Sequence, residues 1–512
     1  MAEIQDIKLS DKWNDLSQLK RKYTDIAETC SEYTIPSVFT EKSFKAGDKY
    51  DQKIVNGYMS KLINNLIGKL VLTILPSNQT FFKLSASKKD LSELSDGDKA
   101  KEDEINKMLA SFETEVIKEI NRMQFRATLF RALKIAMITG DCLIERTGDN
   151  TFREFTLKNY CIRRDNSGTI LELIIKEKID INALPDGIEV PSDKQDTKEP
   201  LDLYTYVRLE DGKYIQTQSI DDNLVGKEVT FKDISEKYMS IRWNRNSDED
   251  YGRGFVEEHI STIKSLNAGL EIIEKTGYSS SKIVFCVDPT GLTDFDDFLD
   301  AENGTAISGR GSDISVVTAD KSKDLSILAS QVDTFKKELS EIYLVGSSAV
   351  RDAERVTAKE IQMLAQELEV GHGGLHTGLA TDIQEPLIKS VLKNMNIKMD
   401  SSIDIVITSG IEALGRSSQL QKINNFMNEL GTLGQIVGSD KVIGSLNIPN
   451  IINSILVNSG VAGNDFLYTE MEANAIKEQA KKEELARQML ESSANSLGNA
   501  TPQLLEQGAT NG

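Results

Sequence analysis

Apolar positions return at spacings of three and four over much of this chain, and they do so first from Trp13. Trp13, Leu16, Leu19, Tyr23 and Ile26 share one helical face, and Pro36 closes the segment. A second helix is predicted over Tyr58 to Leu75, closed by Pro76. Asp98 to Met123 reads as a long amphipathic helix whose stripe is Ile105, Met108, Phe112, Val116, Ile120 and Met123. Another runs from Phe125 to Ile138 and stops at Gly140. The period then falls to two. Thr169 to Lys178 predicts a strand, and Leu201 to Gln218 a hairpin turning at Asp211-Gly212. Leu184 to Pro200, with its prolines and charges, predicts a surface loop, so a small mixed sheet follows a helical block.

The next region alternates helix, insert and helix. Ile260, Ile263, Leu266, Leu270 and Ile273 stripe the first helix, and Val332, Phe335, Leu339 and Ile342 the second. Such narrow stripes pack against neighbouring helices. At 1.5 Å per residue, a helix over Glu257 to Gly277 is roughly 30 Å long. Between the two lie a strand-like run (Lys282 to Val287), an acidic helix and a Gly-rich loop. Thr357 and Glu360 have capping-box spacing. The helix they open carries Ile361, Leu364, Leu368, Leu375, Leu379, Ile383 and Leu387, with kinks expected at Gly371, Gly373 and Gly374 and again near Pro386. Ile403 to Thr408 predicts a strand. Helix resumes to about Ser493, and the polar segment Asn495 to Gly512 is expected to be disordered.

Composition narrows the picture. With 512 residues, 39% of them hydrophobic, the chain has material for about three or four domains. Aromatics at 6% favour aliphatic helical packing. The net charge of −20 argues against tight gripping of nucleic acid, since that affinity comes largely from cations at phosphates. It leaves room for a wall that DNA slides past. Cys30, Cys142, Cys161 and Cys286 are far apart and read as buried thiols of a reducing cytosol. No signal peptide is visible at the N-terminus. The most apolar stretch, Leu62 to Pro76, is interrupted by Lys69 and is too short to span a bilayer, so no membrane is expected.

Catalytic chemistry is not legible. The Gly-Lys pairs at Gly68, Gly212 and Gly226 are followed by Leu70, Tyr214 and Glu228, so no phosphate loop is built. Gly252-Arg253-Gly254 lacks the third glycine of a dinucleotide fingerprint. Of His259, His372 and His376, the last two stand four apart, but the glycines between them weaken a shared face. Asp294, Asp296, Asp297 and Asp300 resemble a cation loop until Leu299 falls where its glycine belongs; a solvated acidic helix face is the simpler reading. Neither an enzyme nor a cofactor is expected. Two rival readings are an internal or scaffold-like structural virion protein without a channel, and a metal-dependent nuclease using the Asp294 to Asp300 carboxylates.

Five blocks carry a resemblance. Cys30-Ser-Glu-Tyr-Thr-Ile-Pro-Ser-Val-Phe39, Gly68-Lys-Leu-Val-Leu-Thr-Ile-Leu-Pro76 and Tyr251-Gly-Arg-Gly-Phe-Val-Glu-Glu258 are similar to successive segments of the head-to-tail connector (portal) proteins of short-tailed double-stranded DNA phages. Most specific is Glu354-Arg-Val-Thr-Ala-Lys-Glu-Ile-Gln-Met-Leu-Ala-Gln-Glu-Leu-Glu369, which resembles that family's long helix and the loop before it; Gly410-Ile-Glu-Ala-Leu-Gly-Arg416 matches a later block. The blocks keep family order from about residue 10 to 420.

The resemblance implies an α+β portal fold, mainly long helices with small mixed sheets. Its parts would be the wing (1–255 and 358–440), stem helices 256–281 and 326–345, the clip 282–325, a channel loop 346–357, and the crown with a C-terminal helix 441–493, before the tail 494–512. It further implies a dodecameric homo-oligomeric ring at one capsid vertex of the virion, assembled in the host cytoplasm. Double-stranded DNA would be packaged and ejected through that ring. The implied partners are the terminase large subunit (the ATP-burning motor), tail adaptor and nozzle proteins, major capsid and scaffolding proteins, and internal core proteins. The expected site residues are Ser347, Ser348, Arg351, Asp352 and Arg355 in the channel loop, and Asp294, Asp296, Asp297 and Asp300 on the docking surface of the clip.

Overall fold

In a computed structural model of the chain, the residues described are 8–40, 47–48, 53–76, 81–86, 99–148, 151–180, 200–220, 222–280, 284–317, 322–345, 374–395 and 403–407, with single positions at 363, 368, 428 and 482. The chain divides into two compact units, Met1–Leu91 with Phe112–Gly415, and Ser92–Ser111 with Arg416–Gly512. Among the described residues no helix is long and apolar enough to cross a membrane.

The helical block forms as its periodicity dictates: α1 (Leu9–Glu32), α2 (Tyr58–Ile74), α3 (Lys99–Arg122) and α4 (Phe125–Thr139). Two stripes are rotated from the expected ones. Leu19 is 72% exposed, and its neighbour Lys20 is buried instead, in line with Leu9, Leu16, Thr24 and Ala27. The Lys20 ammonium reaches the Leu157 carbonyl and, at 2.6 Å, that of Tyr160, and it lies over the Trp13 ring. A buried cation with such partners is satisfied, whereas an apolar residue there would leave two carbonyls without donors. In α3, Met108 is exposed and Leu109 takes the buried place.

Two antiparallel sheets follow. One has the order β3-β2-β9, from β2 (Asp141–Arg146), β3 (Phe152–Phe155) and β9 (Tyr238–Arg242). The other is β4-β5-β6-β7-β8, from β4 (Tyr160–Arg164), β5 (Ile170–Ile179), β6 (Leu201–Glu210), β7 (Lys213–Ile220) and β8 (Asn223–Phe231). The sheets expected to be mixed pair antiparallel throughout the described strands. Where the connection is short, as at β6–β7, antiparallel pairing is required: Asp211 and Gly212 both take positive φ (49° and 73°), the two-residue turn whose twist matches a hairpin. Leu143, Tyr160, Ile162, Leu173, Val207 and Tyr238 form the core shared by the sheets. Against the other face of the larger sheet, α1 lays Leu9 and Leu16 on Cys161, Ile174, Tyr204 and Tyr206.

Toward the C-terminus, the long helix expected to kink at its glycines starts anew after Gly374, whose φ of +88° admits no helical continuation. The resulting helix, α9 (Leu375–Asn394), packs on β9 and α2 and includes Pro386. Arg146 of β2 donates to the Ser390 carbonyl and hydroxyl of α9. β1 (Phe82–Ala86) pairs with β12 (Ile403–Ile407), joining segments more than three hundred positions apart. The loop expected at 184–200, the capping box at Thr357, and the C-terminal helix and tail lie outside the described residues, apart from Pro200, which directly precedes β6, and the single helical position Lys482.

The Tyr251 to Glu258 block is where these layers meet. α4 ends at Gly140 (φ +91°), whose N–H bonds Ala136, and the chain turns directly into β2. Gly252 lies so close that a Cβ on either glycine would fall on the other's carbonyl oxygen, and a Cβ on Gly254 would stand 2.8 Å from the Ile138 carbonyl. Asp141, fully buried, accepts from the Tyr160 hydroxyl at 2.6 Å and from the Gly252 N–H at 3.2 Å. Burial pushes its carboxyl pKa up, and Arg164, those two donors and Arg242 only partly offset the rise. Tyr251 accepts from the Ile162 N–H. Arg253 pairs with Glu249 and Glu257 and stacks on Tyr23 of α1; its pKa is raised first by the bond to Glu249. Phe255 then fits edge-on between His259 and Tyr343.

Gly252→Ala is expected to destabilise the chain by about 1–3 kcal/mol, because backbone rather than a side-chain tip blocks the methyl group. Gly277, with nothing near its Cβ direction, is the control: Gly277→Ala should be neutral or stabilising. Thermal unfolding of both variants checks this, and equal midpoints would remove the close contact from the account.

Candidate functional site

From the Tyr251 to Glu258 block the chain enters α5 (Phe255–Glu258) and, after a break at His259, α6 (Ile260–Ser280). α6 packs along α8 (Ser322–Ile342). Their seam holds Ile263, Leu266, Val332 and Leu339, all buried as the stripes require. At Gly269 the helices approach closely enough that a Cβ would lie 2.8 Å from Val332 Cγ2. Away from the seam the pair keeps large apolar residues at the surface: Ile272 is 51% exposed, Tyr278 68% and Ile327 62%. Two amphipathic helices bury one side of each against the other, and the remaining apolar positions face outward.

The insert between them is a two-stranded antiparallel sheet, β10 (Val284–Val287) with β11 (Ile314–Val317), and the short helix α7 (Phe295–Asp300). Asp313 organises its loops. Its Oδ2 accepts from the Leu292 N–H at 2.8 Å, the Thr293 N–H at 3.2 Å and the Thr293 hydroxyl at 3.1 Å. Burial raises the Asp313 pKa, but these donors outweigh it and hold the carboxyl below the usual carboxylate range. The Thr293 hydroxyl in turn accepts from Arg310 N–H, tying the Gly-rich loop to the start of α7. Phe285 meets Phe298 edge-on, with ring centroids 5.2 Å apart.

The four expected carboxylates all stand on this insert and all are exposed. Asp294 caps α7 by accepting from the Asp296 N–H. Among the described residues none of the four forms an ion pair. Leu292, Phe295 and Leu299 are exposed between them, an apolar component that the acidic pattern had hidden. Helical spacing mixes the two kinds of residue over one short surface. Exposed apolar groups rimmed by charge characterise protein contact surfaces, and carboxylates without cations make this one electronegative.

The other candidates separate. Ser347, Ser348, Arg351, Asp352 and Arg355 lie outside the described residues, as does His372. His376 is buried in α9, and His259 is half-buried beside Phe255, where burial lowers its pKa. Among the described residues no group of His, Cys, Asp and Glu could hold a metal ion. Cys30, Cys142 and Cys161 are buried thiols, whereas Cys286, on β10 of the two-stranded sheet, is exposed. Burial pushes the Cys30 thiol pKa up to about 12.

Sequence reasoning missed Asp141 and Gly140. Locally Gly140 reads only as a helix stop, and a carboxylate opening a strand carries no local sign that a tyrosine and a glycine N–H will surround it.

A family model described as "Bacteriophage head to tail connecting protein" matches residues 7–466. The "Portal protein" of Enterobacteria phage T3 is 28% identical over 481 residues, covering 91% of this chain and 89% of the relative. That of Escherichia phage T7 is 31% identical over 421 residues, 78% of each. Among solved structures, a chain from the neck of an empty GTA particle is similar with a TM-score of 0.36 and 12% identity, over 72% of this chain and 86% of that one. The match over 7–466, agreeing with the five blocks in order, places this chain in the bacteriophage head-to-tail connecting (portal) protein family.

Proposed function

We propose that this chain is the subunit of a dodecameric channel ring at one capsid vertex, through which double-stranded DNA is packaged and later ejected. Residues 1–255 and 358–440 form its wing, α6 and α8 its stem, and the α7-bearing insert its clip. Residues 346–357 form the channel loop, and 441–493 the crown. The observation that carries this reading is the helix pair α6–α8, exposed at Ile272 and Ile327. A helix pair closed on one side and apolar on others leaves area for identical neighbours to bury, and head-to-tail repetition of such a contact closes into a ring. The relatives named portal proteins support the same reading.

The clip docks first the terminase large subunit and then the tail adaptor and nozzle proteins through the exposed face of α7. The wing and crown meet capsid, scaffolding and internal core proteins. The charge of −20 per chain, multiplied around the ring, makes the field in the pore negative, so that DNA is repelled from most of the wall. Arg351 and Arg355 of the channel loop supply brief phosphate contacts, kept weak by Asp352 and Glu354 beside them.

Purified protein at micromolar concentration should sediment as one large oligomer and show a central hole in negative stain. A stable monomer would overturn the ring, and long-helical assemblies without a hole would favour an internal structural protein. For the clip, Asp296→Lys, Asp297→Lys and Asp300→Lys are combined, sparing the Asp294 cap. Rings should persist while DNA packaging falls; normal packaging would exclude α7 from the docking surface.

A further inference from the structure

The second helix of the chain, α2, is buried through Leu62, Ile63, Leu66, Ile67, Leu70 and Ile74, and Lys69 is buried with them. A cation in such surroundings is costly unless it meets a strong acceptor. Lys69 Nζ donates to the Leu344 carbonyl at 2.6 Å. That carbonyl stands at the C-terminal end of α8, where unpaired carbonyls and the helix dipole gather negative charge. Three turns earlier on the same side of α2, the Tyr58 hydroxyl bonds the Lys336 carbonyl at 2.6 Å and the Ser340 hydroxyl at 2.7 Å. Lys336 and Ser340 stand one turn apart on α8 and Leu344 follows just after its last helical residue, so α2 holds the end of α8 at three points.

The end being held is an unusual one. Val345 N–H bonds the Ser340 carbonyl at 2.8 Å, and Leu344 takes φ +54°. This is the wrapped helix end whose left-handed position is normally a glycine. A leucine is disfavoured there by about tenfold or more relative to a right-handed conformation. With Leu344 right-handed, α8 would run on, its carbonyl would point along the axis and away from Lys69, and the chain would leave in another direction.

We infer that Lys69 is a positioning residue: its bond to the Leu344 carbonyl selects the left-handed break that ends α8 and thereby sets the direction in which the chain departs toward residues 346–357. The consequence for DNA rests on the reading of 346–357 as the channel loop; the break itself does not.

The test uses full-length protein assembled as it is purified. Hydrogen exchange is followed at the Leu344 and Val345 amides, and DNA retention is measured in filled heads. Lys69→Met keeps the buried volume and removes the donor; exchange there should rise at least about tenfold, with α2 still protected. Adding Leu344→Gly should restore protection, since glycine takes the left-handed conformation without help. A merely structural lysine would not be rescued by a glycine on another helix. Unchanged exchange in Lys69→Met, or no rescue in the double variant, overturns the inference. If Lys69→Met does not assemble, Leu344→Gly alone decides: slower exchange than the parent upholds the strained break, and equal or faster exchange overturns it. Retention should fall in Lys69→Met and recover in the double variant. Arg351→Ala with Arg355→Ala, measured in the same heads, separates the two ideas. If that pair retains full-length DNA while Lys69→Met still changes exchange, the break stands and the channel-loop reading falls.

Discussion

The structure depends on backbone meeting backbone without side chains between. The carbonyl oxygen of each of Gly140 and Gly252 lies against the Cα of the other, where a side chain would stand, and Gly254 lies against the last turn of α4. This contact brings the end of a buried helix, the first residue of β2 and the start of the α5–α6 segment to one point. Asp141 beside it converts proximity into direction, because its two oxygens fix the Tyr160 ring of one sheet and the Gly252 N–H of the other segment. Arg253, held by two glutamates and stacked on Tyr23, adds α1 to the same joint. A long helix pair used as a lever or a wall needs such a rigid root.

Beyond the root, the energetics change character. The core between the sheets is closed, with Leu143, Tyr160 and Leu173 fully buried. The α6–α8 pair and its insert are not: both keep large apolar residues in water, which a chain working alone would rarely do. Family membership gives those surfaces a purpose, since a head-to-tail connector works in contact with other chains.

Buried cations mark the places where separate elements are joined. Lys20 ends on the carbonyls of Leu157 and Tyr160 at the start of β4, Lys69 on the end of α8, and Arg146 on α9. Each sits in an otherwise apolar stripe, and each donates to backbone carbonyls rather than to carboxylates alone. A carbonyl at a helix end or in a loop is a fixed target, so the bond sets register between elements as well as contributing energy.

Periodicity alone located α1, α2, α4, the β6–β7 hairpin, the α6–α8 pair and β12, because spacing along a helix or strand is a local property that burial of one face imposes directly. The five ordered blocks made the family legible as well. Lys20 and Lys69 were opaque: read locally, a lysine belongs in solvent, and only a carbonyl brought over from a distant segment makes its burial favourable. The same holds for β2, whose six residues are all buried with no alternation to betray them. Gly252 could be seen as a glycine, yet not as half of a contact with Gly140, 112 positions earlier. Asp294 to Asp300 were visible as acidic, while the exposure of Leu292, Phe295 and Leu299 among them was decided by a two-stranded sheet too small to cover them. What the sequence determined by itself was which segments become helix or strand and to which family they belong. Which residues meet was decided by tertiary structure, because close approach and burial depend on partners that no local pattern encodes.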